Sequence, residues 1–236
     1  MHATPLTLLG LIELLLKEPQ QLDSLHRDEK RQAELMPRFL AVALGSYTLF
    51  GVALALILYF APPGAYPRSL IPVPPARLTD GSALALILAY DLGLVAATCV
   101  CLPSFYFFAL LAGVRFTLAQ IVSQVMRSKA AAAVVLVGVL PIYVAVALGM
   151  IVFGVEPRLL EGCLFVGLLL PFLAGLQGIR ILHQGVTTMA ATLPEERRCR
   201  RECFLRRLTL SWAACYTAVS PVLIYRLWEL LAAPLA

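Results

Sequence analysis

The 236-residue chain is 60% hydrophobic and only 14% charged, whereas soluble globular proteins hold roughly 25% charged residues. Its net charge of +5 sits in segments beside long apolar blocks, so it is not the basic surface of a nucleic-acid-binding module. The connectors between blocks are too short for a separate soluble domain. Basic residues are almost all arginine, and Ala and Leu are abundant, a composition that suggests a GC-rich bacterial genome.

Five apolar blocks set the class. They run at about 39–60, 82–112, 130–155, 159–181 and 208–231. A helix needs about 20 apolar residues to cross the hydrocarbon layer, and a buried helix of a soluble protein is shorter and carries a polar stripe. The expected fold is therefore all-α: a polytopic membrane protein with five transmembrane helices and an N-terminal interfacial helix. Residues 1–37 form a cytoplasmic region of interfacial and charged helices, and residues 38–236 form the transmembrane bundle.

The chain does not begin like a secretory signal. Met1-His2-Ala3-Thr4 lacks Lys and Arg, Glu13 interrupts the apolar run, and no small-residue cleavage site follows. Residues 5–17 instead have a helical pattern that Thr4 can cap and Pro5 can start. Thr7, Gly10, Glu13 and Lys17 make a narrow polar stripe. This helix is too short to span, so it lies in the interface plane or packs on the bundle's cytoplasmic face. Residues 22–36 interleave Asp23, Arg27, Asp28, Glu29, Lys30, Arg31 and Glu34, the pattern of a solvated helix with exposed ion pairs.

The loop from Ala61 to Asp80 holds six of the chain's 16 prolines and favours extended backbone. The second block is long enough that it must tilt, kink or project, with Pro103 as the kink site. Thr117 is a candidate cap for a short helix over 118–128 that leads into the third span. Pro141, Pro171 and Pro221 lie inside the last three spans. Small residues recur at four-residue spacing in Ala89-Gly93-Ala97, Ala145-Gly149, Ala174-Gly178 and Ala214-Ala218, a pattern that lets helices approach closely.

Charge asymmetry orients the bundle. Five Lys/Arg precede the first span, three lie between spans two and three, and seven between spans four and five, which makes 15 on that side against four on the other. By the positive-inside rule the N-terminus is cytoplasmic and the C-terminus outside, in a cell inner (plasma) membrane.

Catalytic patterns are nearly absent. His2, His26 and His183 have no metal-ligand spacing, and no phosphate loop, nucleophile elbow or metalloprotease motif is present. No cofactor, no metal site and no enzyme activity are expected. Asp91 is the main ionisable group at depth, a possible intramembrane proton or cation site. The structural alternatives are an ion pair with Arg226 near the outer end of span five, or access to the outer surface from an overhanging helix. Arg226 and Glu229 are spaced to pair with each other. Cys99, Cys101, Cys163 and Cys215 fall inside spans as small hydrophobes, and all six cysteines are read as free thiols, including Cys199 and Cys203 on the basic segment.

That segment, Thr192 to Arg207, has capping-box spacing at Thr192 and Glu195 and then Arg197, Arg198, Arg200, Arg201, Arg206 and Arg207. It is a candidate lipid- or partner-binding site. Its alternatives are a plain topology anchor, an anionic-lipid contact and a dock for an acidic cytoplasmic protein.

The layout resembles bacterial membrane proteins related to the Yip family. The likeness rests on the short apolar helix ending Leu15-Leu16-Lys17-Glu18-Pro19, and on five spans. It also rests on a second span running from Leu102-Pro103-Ser104-Phe105-Tyr106-Phe107 through Gly113 to Leu118-Ala119-Gln120, and on a mid-span proline at Pro141. The Asp-Leu-Tyr-Gly-Pro run of eukaryotic members is missing, so no GTPase-binding residues carry over. The resemblance implies a noncatalytic membrane protein that organises partners or lipids. The expected function is a noncatalytic subunit, scaffold or assembly factor of a bacterial inner-membrane complex, with lipids and other membrane or cytoplasmic proteins as partners. The alternative is a permease or channel subunit using Asp91.

Overall fold

The structure, a computed structural model, describes residues 8–17, 29–61, 82–111, 117–190 and 198–232. These form six helices, with no strand among the described residues: α1 (Leu8–Lys17), α2 (Glu29–Phe60), α3 (Ser82–Leu111), α4 (Leu118–Val152), α5 (Pro157–Ala190) and α6 (Arg198–Ala232). The last five contain apolar stretches of 27 to 35 residues. At 1.5 Å per residue the shortest is about 40 Å long, against a hydrocarbon layer of about 30 Å. The chain is a multi-pass, all-α membrane protein.

The helices are longer and less divided than the sequence pattern suggested. The charged stretch from Glu29 is the first part of α2, which runs on through Pro37. The short helix expected over 118–128 is the first third of α4. Pro103, Pro141, Pro171 and Pro221 all lie inside continuous helices, so α3 is one crossing. Thr117 and Gln120 form a reciprocal cap on α4: Gln120 Oε1 accepts from the Thr117 amide at 3.1 Å, and Thr117 Oγ1 accepts from the Gln120 amide at 3.3 Å.

The chain divides into two compact units. One comprises Met1–Leu44, Cys101–Val134 and Gly175–Cys215. Within it α1 packs rather than standing alone. Leu11 and Leu15 join Leu35, Phe39, Val42, Ala130, Ala131 and Ile181 in a buried cluster. In the same unit α4 and α5 share a close seam. The Ser128 hydroxyl donates to the Gly178 carbonyl at 2.8 Å, and a Cβ on Gly178 would stand 2.7 Å from the Ser128 carbonyl oxygen. One heptad on, Gly185 faces the Gln124 amide, which a Cβ would strike. Only glycine permits this approach, and in a membrane, packing and interhelical hydrogen bonds take over the role that hydrophobic burial has in water.

The other unit comprises Gly45–Val100, Val135–Ala174 and Tyr216–Ala236. Here α4 ends in a left-handed glycine, Gly154 with φ +62°. Val155 donates to the Met150 carbonyl at 3.0 Å and Gly154 to the Ile151 carbonyl at 3.2 Å, the Schellman pattern. Pro157 then occupies the first turn of α5, where its missing N–H costs nothing. The two helices are thus joined by a tight reversal. Gly93 of α3 packs on Ile224 of α6, and Gly51 of α2 on Ile87 of α3. The Tyr143 hydroxyl of α4 fills the notch left by Gly167 of α5.

The four small-residue repeats have different fates. Ala89, Gly93, Ala97, Ala174 and Gly178 are buried inside the chain's own packing. Ala145, Ala214 and Ala218 face outward, and around Gly149 nothing lies within 4 Å of an added Cβ.

Candidate functional site

Asp91 is 8% exposed. Its Oδ2 accepts a hydrogen bond from the Thr48 hydroxyl of α2 at 2.5 Å. Its Oδ1 is buried and has no hydrogen-bond partner among the described residues. No cation among the described residues bonds to it. Taking a carboxylate out of water with one hydroxyl partner and no counter-charge is expensive, which sets Asp91 apart from a residue that merely reaches solvent.

The ion pair with Arg226 is not formed. Arg226 bonds instead to Glu229 at 3.0 Å, with both side chains more than half exposed. Helical geometry explains this. Ile224 is the α6 residue turned toward Gly93, two positions past Asp91, and Arg226 is two residues beyond Ile224, about 200° around the helix.

Other hydroxyls of the same unit bond to helix carbonyls. The Tyr90 hydroxyl donates to the Leu168 carbonyl at 3.4 Å, and the Tyr216 hydroxyl to the Leu94 carbonyl at 3.4 Å. The Thr98 hydroxyl returns to the Leu94 carbonyl at 2.8 Å, and the Ser220 hydroxyl to Tyr216 at 2.6 Å. Phe50 and Tyr90 stack tilted at 5.8 Å. These groups satisfy helix carbonyls. Among the described residues only Thr48 hydrogen-bonds Asp91, and Oδ1 is the carboxylate oxygen left over.

The basic segment falls partly within the described residues. Arg197 and the Thr192–Glu195 cap lie outside them. Arg198, Arg200 and Arg201 are in the first turn of α6, with side chains that are not described, while Arg206 and Arg207 are exposed two turns further on. The segment is thus continuous with span five.

Sequence reasoning missed two features. Arg127 and Lys129 count by pattern among the charges between spans two and three, yet α4 runs unbroken from Leu118 to Val152, so they lie about 14–17 Å along it and turn inward. Arg127 is 3% exposed, and the Lys129 ammonium stands 5.6 Å over the Trp212 ring, within cation–π range. The cap at Thr117 was the sequence signal that placed the helix start there. Thr48 was the other omission, for nothing in the chain's pattern pairs it with a residue 43 positions away.

Among the described residues, no group of three or more His, Cys, Asp or Glu is placed to hold a metal ion. Compared with known proteins, the chain matches no family model, no curated protein and no solved structure.

Proposed function

We propose that this protein is a noncatalytic subunit, scaffold or assembly factor of a bacterial inner-membrane complex, with a cytoplasmic N-terminus and an external C-terminus. The observation that carries this reading is the outward face of α4. Gly138, Ile142, Ala145 and Gly149 recur at alternating four- and three-residue steps on one side of the helix. No atom lies within 4 Å of a Cβ added at Gly138 or Gly149. Beside this stripe an apolar groove of about 390 Å³ runs between α4 and α5, lined by Val139, Ile142, Val146, Gly162 and Val166 among others. Elsewhere the chain uses the same small-residue device to seat its own helices. A stripe of this kind left outside fits a partner helix laid along α4. The Yip-like layout implies a similar organising role, and the Arg197–Arg207 segment supplies a cytoplasmic contact for acidic protein or anionic lipid.

The test is isolation in mild detergent of wild type and of the Ala145→Leu/Gly149→Leu variant. Wild type is expected to retain a stoichiometric partner, and the variant to insert and unfold like wild type but to purify without it. A wild-type protein that runs alone after gentle cross-linking and extraction overturns the reading.

A second reading, a permease or channel subunit, is favoured by the partnerless Oδ1 of Asp91. It requires that Asp91→Asn abolish a proton- or cation-dependent flux in vesicles at unchanged protein abundance.

A further inference from the structure

Cys101 of α3 and Cys215 of α6 are 114 positions apart in sequence, and their sulfur atoms lie 4.0 Å apart. Both are free thiols, and no other pair of described cysteines is in sulfur contact. Cys101 is buried and Cys215 faces outward. The pair is held from several sides within one compact unit. Trp212, one turn before Cys215, donates its indole N–H to the Cys101 carbonyl at 3.1 Å. The same indole meets Phe105, one turn beyond Cys101, edge-on at 5.6 Å. The Ser104 hydroxyl also donates to the Cys101 carbonyl, at 2.7 Å. Lys129 stands over the Trp212 ring at 5.6 Å.

We propose that Cys101 and Cys215 form a redox modification site, a dithiol that an apolar hydroperoxide in the bilayer converts to an α3–α6 disulfide. Position argues for the class of oxidant. Cys215 is 12 residues from the start and 16 from the end of its apolar stretch, about 18 and 24 Å along the helix. It therefore meets the hydrocarbon layer, where bulky water-soluble disulfides do not reach. The outward Cys215 reacts first. Its sulfur attacks a peroxide oxygen, an S–O bond forms, the O–O bond breaks, and an alcohol leaves carrying the thiol proton. Cys101 sulfur then attacks Cys215 sulfur. The S–S bond forms, the S–O bond breaks, and the hydroxyl departs as water with the second thiol proton. Two electrons pass from the thiols to the peroxide.

The geometry favours the second step. A disulfide needs a sulfur separation of about 2.04 Å, so the gap must close by about 2 Å. The outward Cys215 side chain can rotate, while the Trp212 contacts keep the two backbones in register. Such fixed proximity acts as a high effective concentration. An accessible cysteine backed by a buried resolving cysteine is the arrangement used by reversible redox sites, and a membrane-permeant dithiol reverses it by exchange.

The experiment treats the full-length protein in nanodiscs with cumene hydroperoxide, blocks remaining thiols with N-ethylmaleimide, and maps peptides by mass spectrometry. The expected result is a linked peptide pair containing Cys101 and Cys215, lighter by two hydrogens than the reduced pair and restored by a permeant dithiol. Oxidised glutathione at the same dose is expected to leave both thiols free. In Cys101→Ala, Cys215 should stop at the sulfenic acid and be trapped by dimedone, whereas in Cys215→Ala, Cys101 should stay reduced. Retention of both thiols in wild type under peroxide, or linkage of either cysteine to Cys99, Cys163 or Cys203 instead, overturns the proposal. The wild-type map needs no variant, so it stands even where a substitution fails to fold.

Discussion

Gly93 and Ile224 meet so closely that a Cβ on residue 93 would stand 2.9 Å from the Ile224 Cα. That distance ties α3 to α6 through a single missing methyl group. Gly93→Ala should cost about 1–3 kcal/mol from overpacking, offset only in part by the roughly 1 kcal/mol helix-propensity gain of alanine over glycine. Gly149→Ala, where nothing lies within 4 Å, should leave the isolated chain at least as stable as wild type. Unfolding in detergent, followed by circular dichroism, compares the two. Equal stability of both variants would contradict the contact.

Much of this architecture was legible in the sequence, for a definite reason. A bilayer imposes a length on every crossing and forces backbone groups to bond within their own segment, so five apolar runs gave five helices. The proline at 103 did not split its run, for the helix is continuous through it, as helices packed among neighbours that satisfy the freed carbonyl can be. Helix ends were harder. α2 begins at Glu29, before its apolar stretch starts at Glu34, and α4 carries Arg127 and Lys129 inside it, so an uncharged run starts later than the helix does. The partners of Asp91 and of Cys101 were not legible at all. They depend on which faces of distant helices meet, and a four-residue repeat of small residues marks a close approach without naming its other side. That is why Ala89-Gly93-Ala97 and Ala145-Gly149 look alike in the sequence, although the first is buried and the second is left open.

The bond between Thr48 and Asp91 carries the next prediction. Thr48→Val removes the only hydrogen-bond partner, among the described residues, of a buried carboxylate, and should destabilise the protein by about 1–3 kcal/mol. Asp91→Asn keeps an acceptor for the Thr48 hydroxyl and removes a charge that is costly at depth, so its effect should be smaller, within about 1 kcal/mol. Combining Thr48→Val with Asp91→Leu should recover part of the loss of the first, because an apolar pair leaves nothing unsatisfied. Denaturation of Thr48→Val, Asp91→Leu and their double variant against wild type gives the coupling energy directly. A coupling near zero would show that the hydroxyl does not support the carboxylate.

Orientation is tested by labelling. Single cysteines at Ser69 and Gln32, in a background without native cysteines, should respond differently to an impermeant maleimide applied to sealed, right-side-out vesicles. Ser69 should react and Gln32 should not until the membrane is opened. The reverse pattern would invert the bundle, and it would place Arg206 and Arg207 on the outer side, against the excess of 15 to four in Lys and Arg.

The basic start of α6 separates three explanations of one charge cluster. As a topology anchor or a lipid contact it needs only positive charge, which lysine supplies as well as arginine. As a dock for an acidic protein it uses the planar guanidinium fork, which grips a carboxylate through two parallel hydrogen bonds and which lysine lacks. Replacing Arg197, Arg198, Arg200 and Arg201 together with lysine keeps the net charge and therefore the lipid attraction, about 1 kcal/mol per residue near the surface. Glu195, Glu196 and Glu202 lie within the same stretch and would weaken a purely anionic-lipid site, while costing less at a protein dock where each charge meets its own partner. The four-lysine variant should therefore insert with wild-type abundance and orientation, bind anionic liposomes as wild type does, and lose its cytoplasmic partner on co-purification. Two lost hydrogen bonds to charged groups correspond to about 3 kcal/mol or more, a weakening of at least a hundredfold, well within reach of a quantitative pull-down. An unchanged partner profile would reduce the segment to an anchor that holds span five in place.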